Sequence, residues 1–448
     1  MTGETLTGLW RERLEEDPQR TILLKTHRRP VTAAMIEEKI RSQVLRLGAL
    51  PRLRGRVIGL ALPNSSDWLA SFLAILRAGA VALPLDPGTD QARSVVESVG
   101  GTAFIDQAGI QEWSTRRRRL PATICLAKLT SGSTGRPTPH FFTHTEMIAD
   151  GRQVQEGMGI GPDDINFAVI PFGHSYGLGN FVMPMLRSGT AVALGRSILP
   201  RELLTDMATT SATVFAAVPA IIHALTIADL PEYRLGRIRI VISAGGRLPG
   251  VTARRFRERF GLKVRGFYGS TETGGISFDS DGDDTCAERS VGKPLPGVEV
   301  ERSTTGRLLV TSPAAFTHGN RRRSGSGTGQ VLLADLGRIH TDGSISLIGR
   351  RRGFVKRAGR RISLAEVEGL ARTIPGVREA WATVIRSEEG GEAIGLAIET
   401  DGTTPEMRAR IREHLPKRQR PAKVICLGAF PSTPRGKVST AELKDLFE

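Results

Sequence analysis

Two hydrophobic rhythms alternate along the first third of the chain. Val57-Ile-Gly-Leu-Ala-Leu62 is a short continuous apolar run, the pattern of a strand covered on both faces. Asn64 to Asp67 then offer helix caps. Trp68, Leu69, Phe72, Leu73 and Leu76 recur at helical spacing, and Gly79 closes the element. The pattern predicts a strand at 80–85, a helix at 91–98 and a strand at 102–105. Strands alternating with helices predict a mostly parallel sheet with covered faces, an α/β fold.

From Arg350 onward the texture changes. Ser363-Leu-Ala-Glu366 reads as a capping box opening a helix through about Arg372. Strand-like runs follow at 380–385 and 393–398. Residues 405–415 read as a helix with Pro405 at its first position, and 424–427 as a further strand. The pattern predicts two domains: a large layered one over 1–349 and a compact α+β unit over 350–448.

Bulk composition sets bounds. With 448 residues, 40% hydrophobic and 24% charged, the chain can bury a sizeable core. Cys125, Cys286 and Cys426 lie far apart, with neither a CxxC pair nor a metal spacing, which suits a reducing compartment. The N-terminus shows no basic-then-apolar leader. The longest apolar stretch, 214–230, is broken by Pro219, His223 and Asp229, so no membrane span is expected. A cytoplasmic protein is the expectation. The net charge of +16 admits three readings: an arginine-rich coding bias, an anionic ligand or acidic carrier protein, or nucleic acid. No aromatic–basic interleaving or zinc spacing supports nucleic acid, so no nucleic-acid partner is expected. Asp279 to Asp284 reads as an exposed acidic turn rather than a calcium loop.

Two segments carry the chemistry. In Leu129-Thr-Ser-Gly-Ser-Thr-Gly-Arg-Pro137, Thr130, Ser131, Gly132, Ser133, Thr134 and Gly135 offer hydroxyls and closely approaching backbone N–H groups to phosphates. It is not a Walker A loop, since Gly-Lys-Ser/Thr is missing. In Tyr268-Gly269-Ser270-Thr271-Glu272, Tyr268 can stack on a purine, Thr271 can bond an α-phosphate, and Glu272 is a hard oxygen ligand for Mg²⁺. Together they point to ATP and Mg²⁺, with attack at the α-phosphate.

The combination resembles the adenylate-forming superfamily: acyl-CoA synthetases, luciferases and peptide-synthetase adenylation domains. The resemblance spans nearly the whole chain, and further segments fall in family order. They are Leu76-Arg-Ala-Gly-Ala-Val-Ala-Leu-Pro-Leu-Asp-Pro87, Pro171-Phe-Gly-His-Ser-Tyr-Gly-Leu178, Ser243-Ala-Gly-Gly-Arg-Leu248, Val291-Gly-Lys-Pro-Leu-Pro-Gly-Val298, Asp335-Leu-Gly-Arg-Ile339 with Ile348-Gly-Arg350, and Ser432-Thr-Pro-Arg-Gly-Lys-Val438. The resemblance implies a large domain with mixed sheets and flanking helices, and a mobile C-terminal lid. It implies that Asp335 holds the ribose hydroxyls with Arg350 assisting. Lys437 would neutralise charge between carboxylate and α-phosphate. Arg352 falls at the hinge and Gly359 at the thiol channel. His174, Tyr176 and Gly177 would line the acyl pocket, with Gly245 and Gly274 leaving room. The implied acceptor is CoA or the phosphopantetheine of a carrier protein.

The chain departs from the pattern twice. Thr138 replaces the phosphate-loop lysine. Gly266 stands where Asn or Gln often reads the adenine amine, leaving that work to backbone carbonyls. No acid occurs between Ile165 and Gly189, where amino-acid-activating relatives place an Asp, so a fatty or aryl acid is expected rather than an amino acid. The expected activity is acyl-AMP formation followed by thioester formation. The alternative is a nucleotide-binding scaffold or sensor of the same fold with little turnover.

Overall fold

The computed structural model describes residues 4–50, 53–87, 92–113, 119–130, 138–230, 235–320, 328–350, 353–357, 360–386, 392–432 and 438–447. By packing, the chain divides into two compact units: Met1–Glu299 with Val310–Val331, and Val300–Leu309 with Leu332–Glu448. The 349/350 boundary, read from the change of sequence texture, falls inside the second unit.

In the first unit the alternating rhythm is realised. Strands Val57–Leu60, Val81–Pro84, Ala103–Asp106 and Ile124–Thr130 pair in parallel, and Gly109–Glu112 and Thr138–Thr143 add antiparallel edges. The helix Ser66–Arg77 starts where its caps predict. The Ser65 hydroxyl accepts the Trp68 N–H at 3.1 Å, and Gly79 leaves the helix with φ +69°. Val57, Leu83, Val96, Phe104 and Ile124 form the core against this sheet. The strand Ile124–Thr130 ends where the phosphate-loop residues 131–137 begin, and Thr138–Thr143 returns alongside it.

A second sheet of nine strands, among the described residues, builds the rest of this unit. Thr21–Lys25, Ala191–Leu194, Ile165–Ala168, Val214–Ala217, Ile240–Ser243 and Val264–Ser270 run parallel in that spatial order. Antiparallel strands lie at both edges. Phe167, Phe215, Ile222 and Phe256 fill one covered face. The sheets are mixed and helix-flanked, an α/β architecture. Among the described residues no helix is long and apolar enough to cross a membrane.

The second unit holds most of a sheet made by Glu299–Arg302, Arg307–Thr311, Gln330–Ile339 and Ile345–Arg350. It also holds a sheet in which Glu392–Glu399 pairs antiparallel with Glu379–Arg386 and parallel with Lys423–Leu427. Val355, Val367, Leu396, Ile398, Met407 and Ile411 form its core. The helix Leu364–Arg372 forms as expected, but its capping box does not: Ser363 makes no side-chain cap hydrogen bond. Ser363 ends the strand Arg360–Ser363, opposite Phe354, so its backbone is set by the ladder rather than by the helix start.

Candidate active site

The strand Val264–Ser270 lifts the nucleotide motif out of the second sheet. It folds back antiparallel onto Gly274–Phe278, with a register shift between Tyr268 and Gly269. Gly269 faces the Gly274 carbonyl, which an ideal Cβ would approach to 2.7 Å, so only glycine lets the strands close here. Tyr268 is buried in this ladder. Thr271 and Glu272 sit half-exposed in the turn that joins the strands. Ser270 does not face outward with them. It is buried, and its hydroxyl accepts the Thr273 N–H at 3.2 Å and lies 3.0 Å from the Thr273 hydroxyl. These contacts shape the turn that carries Thr271 and Glu272.

Gly266 is held by the segment that follows. Its N–H donates to the Thr285 hydroxyl at 2.8 Å, and its carbonyl accepts the Asp279 N–H at 2.9 Å. The Gly266 carbonyl is therefore bonded to the Asp279 segment. A side chain here would meet the Thr285 hydroxyl at 2.7 Å, which explains the glycine. Asp279 is not part of an exposed acidic turn. It is buried, and its carboxylate accepts from Thr285 and from the Gly282 N–H.

The loop strands and the Glu272 turn meet through His140. The Thr130 hydroxyl lies 3.0 Å from His140 Nε2, and the His140 ring stands edge-on to Phe316 at 4.7 Å. The Phe316 N–H then donates to the Glu272 carbonyl at 3.1 Å. Burial lowers the His140 pKa against the opposing pull of Glu272. The helix His144–Met158 closes this nexus from one side. Its Glu146 carboxylate accepts the Thr143 N–H at 2.7 Å, the Thr317 N–H at 2.9 Å and the Thr317 hydroxyl at 2.6 Å. One turn on, buried Asp150 accepts the Gly275 N–H at 3.0 Å. Gly274 has φ +71°, and the Asp150 carboxylate occupies the place its side chain would take. The absence of a side chain at Gly274 thus makes room for Asp150. Gly245, with φ +81° and Val218 Cγ1 at 3.6 Å from its ideal Cβ, is less crowded.

The segment around His174 is set from a distance. Asn64 donates to the Ile170 carbonyl at 2.9 Å and accepts the Phe172 N–H at 2.6 Å. His174 Nε2 pairs with Asp86 Oδ1 at 2.6 Å, both side chains partly exposed. Tyr176 is half-buried, with its ring 5.8 Å from Phe267 and its hydroxyl 3.5 Å from the Ala217 carbonyl; burial raises its pKa. Gly177 packs against the Pro171 carbonyl, so its missing side chain serves chain packing and opens no pocket.

In the second unit Asp335 is buried, and it stands opposite Arg350 in the antiparallel ladder. The two residues expected to act together are thus cross-strand neighbours. Ser131, Gly132, Ser133, Thr134, Gly135, Arg352, Gly359, Lys437 and the Arg350 side chain lie outside the described residues. Sequence reasoning missed Asp86, Lys128, His140 and Asp150, whose roles arise from contacts far apart in the chain. Only the Thr143-x-x-Glu146 spacing signalled that this helix start is specially built.

The family model "AMP-binding enzyme" matches residues 102–302, the stretch carrying both motifs. Over that stretch the chain is similar to AMP-binding enzymes. It is 25% identical to an oxalate–CoA ligase of Arabidopsis thaliana over 98% of both chains. It is 27% identical to a 2-hydroxy-7-methoxy-5-methyl-1-naphthoate–CoA ligase of Streptomyces carzinostaticus, over 72% of this chain and 62% of that one. Its fold matches ATP-bound MatB of Rhodopseudomonas palustris with TM-score 0.80 and 22% identity, over 99% of each.

Proposed function

We propose that this chain is an adenylate-forming acid–thiol ligase acting in the cytoplasm. A carboxylate oxygen of the substrate attacks the α-phosphorus of ATP, and pyrophosphate leaves. The thiol of CoA, or of an acidic carrier's phosphopantetheine, then attacks the acyl carbon, and AMP leaves. The observation that carries this reading is the junction of Thr130, His140, Phe316 and Glu272 within one unit. It ties the start of the phosphate loop to the turn bearing Thr271 and Glu272.

The residues present fit MgATP. Among the described residues no cluster of three or more His, Cys, Asp or Glu could hold a metal by itself. A single carboxylate, Glu272, suits Mg²⁺, which commonly takes one or two protein carboxylates and completes its shell with phosphate oxygens and water. The ion would spread the charge of the triphosphate. Thr271 would donate to the α-phosphate, Tyr268 would flank the adenine, and Asp335 would hold the ribose with Arg350. Lys437 would place positive charge where the carboxylate meets the α-phosphate. Arg352 and Gly359 take the hinge and thiol-channel roles. The His174–Asp86 pair and the Tyr176 wall suit a fatty or aryl carboxylic acid. The two relatives act on acids as different as oxalate and a naphthoate.

ATP–pyrophosphate exchange across a panel of acids tests the first step. Exchange with at least one acid is expected, and Lys437→Ala abolishes it while sparing thioester formation from supplied acyl-adenylate. Near-normal exchange in that variant removes the Lys437 assignment. Thr138, exposed where relatives carry lysine, favours a second reading: a scaffold that binds ATP without turning it over. Calorimetric ATP binding with no exchange across the panel would establish that reading instead.

A further inference from the structure

Lys128 lies on the strand that leads into the phosphate loop, two residues before Thr130. It is only 6% exposed, and its ammonium makes no hydrogen bond. Its ammonium stands 4.4 Å from the centroid of the Phe142 ring. A buried ammonium with all three donors idle is costly unless opposite charge lies near. That charge comes from the helix His144–Met158, where Glu146 and Asp150 are spaced to share one face. Burial lowers the Lys128 pKa overall, and the carboxylates of Asp150, Glu146 and Glu272 oppose it by favouring the charged form, Asp150 most strongly. Asp150 feels the reciprocal effect: burial raises its pKa overall, while Lys128 and the Gly275 N–H oppose that rise by favouring its charge. Glu146 already holds Thr143 and Thr317. Asp150 holds Gly275, the residue that closes the Glu272 turn. Lys128 is too enclosed to touch a nucleotide as it stands, so its influence runs through Asp150.

We propose that Lys128 is a positioning residue: its buried ammonium balances the Asp150 carboxylate that pins the Gly275 N–H, and so holds the turn bearing Thr271 and Glu272 ready for MgATP. The last clause rests on the functional reading above; the pinning of the turn does not. A merely space-filling lysine would be replaced by methionine without consequence for Asp150. A charge-balancing lysine makes the two residues depend on each other.

The test uses the full chain as wild type, Lys128→Met, Asp150→Asn and the double variant. Amide hydrogen exchange at Gly275 is read without nucleotide, and MgATP affinity by calorimetry. In Lys128→Met, Gly275 exchanges about tenfold faster and MgATP binds about tenfold more weakly. The double variant recovers both towards wild type, because the carboxamide introduced by Asp150→Asn can still accept the Gly275 N–H and no buried charge is stranded. Wild-type protection in Lys128→Met overturns the proposal, as does a double variant whose losses are the product of the single ones. Where Lys128→Met fails to fold, Asp150→Asn and the double variant carry the comparison. Adding Lys128→Met to Asp150→Asn should then restore protection, and further loss overturns the proposal. If wild type binds no MgATP, the functional reading falls, and the exchange measurement alone still decides whether Lys128 holds the turn.

Discussion

Thr138 opens the strand that returns from the phosphate loop, exposed and opposite Thr130 in the ladder. On the proposed function, a cation there would add one charge-assisted contact to the triphosphate. Thr138→Lys is expected to lower the KM for ATP by about five- to tenfold, equivalent to roughly 1–1.4 kcal/mol, with little change in the KM for the acid. Exchange rates at varied ATP check this; an unchanged KM for ATP means that position 138 does not face the nucleotide. Asp86 makes the opposite split. Its carboxylate fixes the His174 ring, so Asp86→Asn should raise the KM for the acid several-fold, by about 1 kcal/mol of lost charge-assisted bonding, and leave ATP unaffected. A change confined to ATP would detach the pair from the acyl site. Residue by residue, the sequence can point only to what lies within a short segment, as in Tyr268 to Glu272 or His174 to Gly177. Asp86 acts on His174 across 88 positions, and Asp150 on Gly275 across 125. No local pattern announces either contact. Ser270, Gly177 and Gly274 show the converse, since each fits a binding motif while its actual partner is Thr273, the Pro171 carbonyl or Asp150.

At the scale of elements, the capping boxes show why a correct pattern can name the wrong place. Thr143-x-x-Glu146 and Ser363-x-x-Glu366 fit the same template, and only the first forms, with both reciprocal bonds present. Ser363 belongs to a strand ladder as well as to a helix start, and the ladder sets its backbone. The strands and helices of 57–106 were legible because their burial is nearly complete and their periods differ. Joining a helix to a sheet takes contacts that periodicity does not encode. Asp206 is one such joint. From the helix Pro200–Thr209 it accepts the Thr26 hydroxyl at 2.7 Å, the Arg196 N–H at 2.9 Å and the Arg196 guanidinium at 2.8 Å. Burial opposes its charge, but the Arg196 and Thr26 hydrogen bonds prevail and hold its carboxyl below the usual range. A pKa lower in the folded than in the unfolded chain adds stability above the unfolded value, about 3.9, and that stability is lost as pH falls through the folded value. Asp206→Asn should therefore lower the melting temperature at pH 7 and shrink the difference between variant and wild type below about pH 4. A gap that stays constant from pH 7 to pH 3 would show that Asp206 acts through packing alone.

Over the whole molecule, the fold class follows from the alternation of periods, while the packing division does not. The strands between 299 and 350 look, in sequence, like a continuation of the large domain, yet most of their sheet packs with the second unit. Charge is also a property of the whole. The chain carries 62 Lys/Arg against 46 Asp/Glu, and residues 350–448 hold 20 against 13. Such an excess acts on association rather than on fold. If it serves an acidic carrier protein, it should steer docking, and steering is screened once the Debye length falls to a few ångströms. Raising salt from about 50 to 500 mM should then cut kcat/KM for acyl transfer to a carrier by about tenfold or more. Pyrophosphate exchange in the same samples serves as the reference, because MgATP binding relies on close contacts that salt screens less. It should change by less than about threefold. The comparison separates two origins of the charge. A carrier reaction as salt-tolerant as exchange leaves coding bias as the source of the arginines, with free CoA as the more natural acceptor. A steep dependence confined to the carrier assigns the basic surface to protein recognition, where charge reversals across 350–448 can then locate the docking face.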